Sequence, residues 1–352
     1  MRAFALTAIA LVSIPLMAQG PSGGCYETNK KEIVEKIGSG DGMLVAEGWA
    51  KFEQCVPQDQ RRRTLFDLYR ELDQSGQCPP SLRPAILATI REYNGGDIWS
   101  DPELSYYVCS GLHDANDRLR RFIILDAGGN DFIALSCLND PVDYIREVAL
   151  CKIAADPTCH DVYSLYVNTY KGSAVAAHSV ETAQRLLAEH KQGPRNDVRK
   201  IESVAQLKGI PKEARTASWS ELWEHSDSAE SDSKQRVDLL TFLDSTEGRG
   251  MNWDCRMKYH LCSAIYDKSE SVREALLASV STRNEAEARA LLLSFLGDPS
   301  DVVRTKAVGY VKQIPGGDSI LAAYVRNVAF KVEFAGSRQH ALQALPGTGK
   351  LP

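Results

Sequence analysis

One seven-residue pattern occurs four times in this chain and constrains its fold more than any other feature. The pattern reads Asp, any two residues, Asp or Glu, any residue, then Val, Ile or Leu, and finally Arg. By chance, a chain of this length and of average composition would contain it about 0.03 times. The copies therefore indicate an internal repeat. They span residues 114–120, 140–146, 267–273 and 298–304.

The spacing within the pattern is typical of a turn that opens a helix. A short polar side chain such as that of Asp140 accepts hydrogen bonds from the free N–H groups of a new helix. Proline is well tolerated at the first helical position, where Pro141 and Pro299 are predicted to lie. A carboxylate three residues after the cap interacts favourably with the positive end of the helix dipole. Apolar residues at helical spacing precede and follow the turn, so each copy is predicted to join two helices.

This combination resembles the HEAT repeat, including the HEAT-like repeats of phycobilin lyases. In both, leucines end a first helix, the Asp-Pro-x-Asp-x-Val-Arg turn follows, and Ala and Leu continue on a second helix. The resemblance is clear over residues 103–155 and 252–313. It implies an all-α fold, an α-solenoid in which antiparallel helix pairs stack into a superhelix.

The resemblance also gives the Asp and Arg residues of the pattern a role. In HEAT repeats the turn Asp and the second-helix Arg form a polar ladder between neighbouring repeats. A row of anion-binding arginines is the alternative for the four Arg residues. The implied ladder consists of Asp114, Arg120, Asp140, Arg146, Asp267, Arg273, Asp298 and Arg304.

The distances between the copies are compatible with one continuous array. Arg146 and Arg273 are 127 residues apart, which is close to four units of about 32 residues each. Residues 106–114 also parallel residues 259–267 in sequence, so both are predicted to be first helices of equivalent repeats. Elsewhere, glycine and proline clusters separate runs with helical apolar spacing, and no run alternates as a strand would.

These signals divide the chain into five segments. We expect a signal peptide in residues 1–18, helical repeats in 19–224 and 235–346, a polar loop in 225–234 and a tail in 347–352. In the polar loop Ser is interleaved with Asp or Glu, a composition typical of loops. A disordered linker between two domains is its alternative interpretation.

The N-terminus has the layout of a secretory signal. Arg2 precedes an apolar run from Phe4 to Ala18, and small residues follow this run. The run is shorter than the roughly 20 residues that a helix needs to span a bilayer. We therefore expect cleavage after Ala18 and an exported protein, periplasmic or extracellular, with no membrane span after cleavage. An uncleaved anchor or a buried first helix is the alternative.

The charge balance argues against a nucleic-acid partner. The chain is 43% hydrophobic and 25% charged, which is the balance of a soluble globular protein. Its 41 Lys and Arg residues are outnumbered by 46 Asp and Glu residues. No basic excess is therefore present to attract a phosphate backbone.

The nine cysteines lack the Cys-x-x-Cys spacing of zinc sites and redox pairs. In an oxidising compartment nearby thiols should pair, and an odd count leaves at least one free. Cys151 with Cys159, which flank a predicted turn, is the disulfide that we favour. Cys109 and Cys262 are predicted to be buried between helices.

No motif indicates catalysis. The seven histidines form no zinc-binding pair, and the chain has neither a P-loop nor a dinucleotide-binding motif. The Gly-x-Ser-x-Gly match at residues 20–24 lacks the strand and helix of a nucleophile elbow. Cys159 and His160 are adjacent, but neighbours in sequence usually point apart. We therefore predict that the protein is not an enzyme and has no catalytic, cofactor-binding or metal site.

We expect an exported HEAT-like repeat protein that binds an unidentified protein partner as a scaffold or adaptor, because stacked repeats provide extended surfaces. One alternative is a cofactor-binding or lyase-like enzyme that uses the repeat groove, although phycobilin lyases work in the cytosol. Another is a purely structural envelope protein. The exposed side of the second helices is the expected binding face, at Arg121, Glu147, Glu274 and Thr305 and at Lys152, Ser279 and Tyr310.

Overall fold

A computed structural model of the chain describes residues 23–75, 79–126, 131–154, 156–189, 201–227, 233–283 and 286–346. Across these ranges the secondary structure is α-helix with short 3₁₀ turns, and no strand is found. The all-α prediction is therefore confirmed. The predicted signal peptide and tail lie outside the described residues, as do residues 228–232 of the predicted polar loop.

The chain divides into two compact units, residues 1–64 and 65–352. The helices are α1 (Gly23–Gly38), α2 (Gly42–Cys55), α3 (Gln58–Ser75), α4 (Leu82–Tyr93), α5 (Pro102–Ser110), α6 (Asp117–Asp126), α7 (Asp131–Ser136), α8 (Asp143–Ile153), α9 (His160–Tyr170), α10 (Ala177–Glu189), α11 (Lys212–Asp227), α12 (Ser233–Leu243), α13 (Thr246–Arg249), α14 (Cys255–Ala264), α15 (Glu270–Ser281), α16 (Ala286–Ser294), α17 (Asp301–Val311), α18 (Gly317–Asn327) and α19 (Ala335–Ala344).

In the first unit, α1 and α2 pack against each other as a hairpin. The Asp41 side chain caps α2 by accepting from the backbone N–H groups of Met43 and Leu44. A disulfide joins Cys25, near the start of α1, to Cys55, the last residue of α2. Because the crosslink ties the two open ends of the hairpin together, it limits fraying of this small unit.

The second unit contains the same series of helices twice. The first copy ends with α10, and the second copy runs from α11 to α19, with α13 as an additional short helix. Asp101 caps α5 and Asp254 caps α14, 153 positions later. Asp143 and Asp301, 158 positions apart, both begin a helix of the C-terminal part of their copy. Matching helices therefore follow one another in the same order in the two copies.

The first helices of the pairs form the contact between the two copies. Helix α5 packs against α16 and α18, α7 packs against α14 and α16, and α9 packs against α14. Helix α5 corresponds to α14 in the other copy, and α7 corresponds to α16. The α5–α16 contact is therefore equivalent to the α14–α7 contact, and the arrangement has an approximate twofold symmetry. The second helices instead pack along their own copy, α6 on α8 and α8 on α10, and likewise α15 on α17 and α17 on α19.

Burial follows from this arrangement. Helix α5 buries six consecutive residues, Leu104 to Cys109, so it is enclosed on all sides. In α8, a second helix, only one face is buried, with Ile145, Ala149 and Ile153 at helical spacing. The first helices thus contribute the core between the copies, and the second helices form the outer layers.

The disulfide of the second unit crosslinks the two copies. Cys159 immediately precedes α9 and is bonded to Cys255, the first residue of α14. The favoured Cys151–Cys159 pair is therefore wrong. Cys151 lies on the outer helix α8 and is exposed, whereas Cys159 is buried toward the other copy. Cys109 and Cys262 are buried, as predicted.

The symmetry-related contact between the copies has a glycine in place of the disulfide. Gly316 precedes α18 and adopts a φ of 76°, which favours glycine. A Cβ atom at this position would lie 2.5 Å from Pro102 Cγ at the start of α5. The absence of a side chain lets the ends of α5 and α18 approach closely.

None of the helices in the described ranges combines the length and the apolar character that crossing a membrane requires.

Removal of the Cys159–Cys255 disulfide should destabilise the second unit. The bond closes a chain segment with a sequence separation of 96, and loss of such a crosslink releases unfolded-state entropy worth about 3–5 kcal/mol. Urea unfolding of the Cys159→Ala/Cys255→Ala variant, followed by circular dichroism, measures the loss. The Cys151→Ala variant is the control and should change stability by less than about 0.5 kcal/mol. Peptide mapping that joined Cys159 to Cys151 would contradict this crosslink.

Candidate functional site

Two of the four arginines in the repeated pattern reach the aspartate of the next repeat. Arg120 Nε donates to Asp140 Oδ2 at 2.6 Å, and its Nη1 donates to the Asp114 carbonyl oxygen at 2.5 Å. Arg273 Nε donates in the same way to Asp298 Oδ2 at 2.8 Å. Both ion pairs are buried. Each arginine therefore ties its own turn to the turn of the following repeat.

Each copy begins this series of contacts with an arginine that the pattern does not include. Arg83 Nη2 on α4 donates to Asp114 Oδ2 at 2.6 Å, and Arg236 Nε on α12 donates to Asp267 Oδ2 at 2.8 Å. Sequence reasoning missed both because neither stands in a complete copy of the pattern. Their spacing in the sequence could have identified them, since each arginine precedes its aspartate by 31 residues.

Arg146 and Arg304 end the series in their copies without an aspartate from a following repeat. Arg146 donates to the carbonyl oxygen of Val175, and Arg304 donates to that of Glu333. Arg146 also donates to Asp143 in its own helix. We call the complete set of contacts the Arg–Asp ladder. Its arginines are Arg83, Arg120, Arg146, Arg236, Arg273 and Arg304.

Two clefts open where the first helices end. The first cleft has a volume of about 450 Å³ and lies at the ends of α5, α16 and α18. The second cleft has a volume of about 640 Å³ and lies at the ends of α7, α11 and α14. Lining residues of the first cleft include Tyr69, Asp73, Arg83, His113, Asn327 and Lys331, and those of the second include Asn139, Trp223, Arg236, Ser263, Tyr266 and Lys268.

The clefts are equivalent sites of the two copies. Arg83 and Arg236 occupy matching positions, and so do His113 and Tyr266. The rings of His113 and Tyr266 also contact each other, with centroids 5.4 Å apart. Because one ring lines each cleft, this pair lies between the two clefts. We call the two clefts together with the His113–Tyr266 pair the groove.

Arg83 is fixed in the wall of the first cleft by three groups. It donates to the Tyr69 hydroxyl at 3.0 Å and to Asp114 at 2.6 Å, and it lies 3.0 Å from Asp73 Oδ1. Its guanidinium also lies 4.8 Å from the centre of the Tyr69 ring. Burial raises the pKa of Tyr69, so this phenol stays neutral. The Arg83 charge is therefore compensated within the protein.

Asn327 and Lys331 bring further polar groups to the first cleft. Asn327 Nδ2 donates to the Tyr106 hydroxyl at 3.1 Å, while Asn327 Oδ1 has no hydrogen-bond partner among the described residues. Lys331 Nζ lies 3.3 Å from Asp73 Oδ2. Burial raises the pKa of Tyr106 well above its ordinary value. The cleft thus combines an unused acceptor, neutral phenols and a carboxylate near its opening.

The second cleft has hydroxyl and amide groups but fewer charges. Arg236 makes a two-pronged contact with Asp267, at 2.8 and 3.3 Å, and donates to the Ser226 carbonyl oxygen at 2.9 Å. Asn139 Nδ2 donates to Ser263 Oγ at 3.3 Å. Ser226 occupies the position that Asp73 has in the first copy. The second cleft therefore lacks that carboxylate.

A carboxylate and a histidine meet elsewhere in the second copy, in a structural setting. Glu224 Oε1 lies 3.1 Å from His260 Nε2 and accepts from Arg256 Nε at 2.7 Å. Burial would raise the pKa of Glu224, but the His260 hydrogen bond and the Arg256 charge outweigh it and lower the pKa. His260 is buried beside the rings of Trp219 and Trp223. The cluster joins α11 to α14 and leaves a substrate no access to the imidazole.

No group of three or more His, Cys, Asp or Glu side chains within the described ranges is arranged to hold a metal ion.

The expected binding face on the second helices is partly occupied by packing. Ser279 is buried and donates to the Leu240 carbonyl oxygen at 2.7 Å, so its predicted exposure is wrong. Glu147 accepts from Thr182 at 3.1 Å on the neighbouring outer helix. Side chains on this face therefore contact the adjacent second helices, because these helices pack side by side within each copy. Arg121 is exposed.

The Arg273→Ala variant should lose about 3–5 kcal/mol of stability, because the buried Asp298 carboxylate would keep its charge without a partner. Equilibrium urea unfolding measures this loss. The Arg273→Ala/Asp298→Asn variant is the matched control and should recover part of it, since it removes the uncompensated charge. Equal stability of the single variant and the wild type would contradict the energetic role of the ladder.

Comparisons of the whole chain with protein-family models, with curated proteins and with solved structures found no match. Assignment of a function therefore rests on the contacts and clefts of the chain itself.

Proposed function

We propose that the chain is an exported, non-catalytic HEAT-like repeat protein that binds an extended segment of a partner protein in the groove. The observation that carries this proposal is the pair of equivalent clefts on either side of the His113–Tyr266 contact. Two adjoining clefts suit a ligand longer than a small molecule. A peptide segment that passes the central pair would reach both clefts at once.

The HEAT-like character rests on the ladder contacts. In each copy, three arginines successively connect neighbouring helix pairs, as Arg83, Arg120 and Arg146 do in the first copy. We infer that each copy is a short HEAT-like solenoid. The two solenoids cover each other's first helices, so the surfaces available to a partner are the outer helices and the edges where the helices end.

The lining of the groove suits a peptide. A side-chain amide such as that of Asn139 both donates and accepts, which matches the two polar groups of a peptide bond. Tyr266, which is 40% exposed, provides aromatic surface for apolar side chains in the second cleft. Aromatic surface combined with a few fixed polar groups is the usual composition of a binding pocket.

The alternative of a lyase-like enzyme receives less support from the groove. Attachment of a cofactor to a thiol needs an accessible cysteine, and none of the described residues that line either cleft is a cysteine. Cys109, Cys137 and Cys262 are buried, and Cys151 lies on the outer helix α8. A binding role needs no such group.

Export is compatible with the crosslinks. The Cys25–Cys55 and Cys159–Cys255 disulfides persist in oxidising compartments and are uncommon in the cytosol. They support, together with the apolar N-terminal run, a location outside the cytosol.

A photo-crosslinking amino acid at Tyr266 tests the groove in the full-length protein. It should label a recurrent partner at one extended segment, whereas the same amino acid at Val175, an exposed residue outside the groove, should not. A synthetic peptide of the labelled segment then serves as the ligand for affinity measurements. Equal labelling from both positions would contradict a binding site in the groove.

The Tyr266→Ala variant should bind this peptide at least about tenfold more weakly, because central aromatic side chains dominate such interfaces. Isothermal titration calorimetry measures the change. The matched control is Tyr310→Ala, which makes the same substitution on the second helix α17 and should leave the affinity unchanged. Both variants should keep the wild-type melting temperature within a few degrees.

A further inference from the structure

The two clefts come from equivalent parts of the two copies but differ in charge. In the first copy Asp73 contributes a carboxylate to the cleft, and in the second copy Ser226 occupies the same position. This difference is independent of the ladder, because both copies retain the ladder pairs Arg83–Asp114 and Arg236–Asp267. The additional acid gives the first cleft an anionic group that the second cleft lacks.

The ends of the surrounding helices reinforce this anionic character. Helices α5 and α18 both end at the first cleft, at Ser110 and Asn327, and the turn after α16 lines it at Gly297. The C-terminal end of a helix carries partial negative charge from its last carbonyl groups. Three such ends around one cleft favour a positively charged occupant.

The two cations already in the first cleft are held very differently. Arg83 is buried and bonded to Tyr69, Asp73 and Asp114. The Lys331 side chain is 37% exposed, and its ion pair is the contact to Asp73 at 3.3 Å. Exposed ion pairs of this kind contribute little to stability. Arg83 is thus a fixed part of the wall, whereas the Lys331 ammonium can leave at small cost.

Asn327 supplies an acceptor that the protein does not use. The residue is only 8% exposed, it lines the cleft, and its Oδ1 has no partner among the described residues. A buried polar atom without a partner is unfavourable unless a ligand completes its hydrogen bond. An N–H donor placed in this cleft would satisfy it.

The first cleft has an aromatic side chain close to Lys331. The Phe334 ring lines the cleft, 5.8 Å from Lys331 Nζ, and offers a cation–π surface. The same ring provides apolar contact area beside a cationic group.

We infer that the first cleft is the specificity pocket for a basic side chain, Lys or Arg, of the bound protein segment. That side chain takes the place of the Lys331 ammonium beside Asp73 and donates a hydrogen bond to Asn327 Oδ1. An apolar residue next to it contacts the ring of Phe334, which lines the cleft. This inference rests on the proposed function, since it names the kind of segment that the groove selects.

Lys331 acts in this scheme as an internal competitor. Its removal should therefore strengthen the binding of basic segments, whereas loss of most side chains in a binding site weakens binding. This opposite sign makes the Lys331→Gln variant the sharpest test, because a variant that merely damaged the fold would not bind more tightly.

The experiment uses the full-length protein and a displayed library of random peptides. Wild-type protein should select peptides with one recurrent Lys or Arg next to apolar residues. A selected peptide and its analogue with norleucine in place of the basic residue are then compared by fluorescence polarisation. The analogue should bind about tenfold more weakly, as expected for loss of a buried charged contact. Spermidine, added as a free polyamine, should compete only weakly.

Three variants of the protein should change the affinity for the basic peptide in different ways. Lys331→Gln should raise the affinity for the basic peptide about three- to tenfold. Asn327→Leu should lower it about tenfold, with little effect on the norleucine analogue. Lys268→Gln, in the second cleft, is the matched control and should leave the preference for basic residues unchanged.

The outcomes separate this inference from the proposed function. Selected peptides that bind in a Tyr266-dependent manner, but without a basic residue and without a response to Lys331→Gln, would overturn the basic-side-chain pocket and leave the peptide groove intact. Failure to select any peptide that depends on Tyr266 would overturn both. Equal affinity for spermidine and for the peptide would replace the protein segment by a polyamine as the occupant.

Discussion

The burial of the first helices of one copy against those of the other is the constraint on which the second unit depends. A helix such as α5, enclosed along six consecutive residues, cannot be stable at a surface, so neither copy is expected to be complete without its counterpart. The Cys159–Cys255 disulfide and the Pro102–Gly316 contact lie at related ends of this shared layer. One end is held covalently, and the other by the close approach that glycine permits.

The Arg–Asp ladder solves a different problem, the alignment of successive helix pairs within a copy. Apolar packing between second helices is weakly directional, whereas an arginine that reaches both its own turn and the next one fixes their relative position. Such buried pairs add little net stability when intact but cost much when broken. The ends of the series show the same requirement, because Arg146 and Arg304 turn to carbonyl groups where no further aspartate follows. A buried guanidinium needs acceptors wherever it lies.

The sequence allowed prediction of the helical class, because apolar spacing is a local property. The predicted caps were wrong, since Asp140 and Asp298 lie before the N-cap residues Val142 and Ser300. The sequence did not allow prediction of how the copies pack together. Residues such as Tyr106 and Asn327 are 221 positions apart and meet only because α18 returns to α5. The same long-range packing explains the wrong disulfide, since Cys151 is nearer to Cys159 in sequence but lies in the outer layer. The clefts also depend on helix ends that converge from both copies, so no single segment indicated them.

The character of the groove depends on where the two copies are alike and where they differ. Positions that maintain the ladder, such as Arg83 and Arg236, are the same in both copies, because a change there would leave a buried charge without a partner. Other contacts differ between the copies, since Arg83 meets the Asp73 carboxylate in one and Arg236 meets the Ser226 carbonyl oxygen in the other. The approximate twofold symmetry places both clefts side by side. Because the clefts differ in their side chains, the two ends of the groove are chemically distinct. A segment bound across the groove would therefore have one preferred direction, set by the cleft that contains the carboxylate.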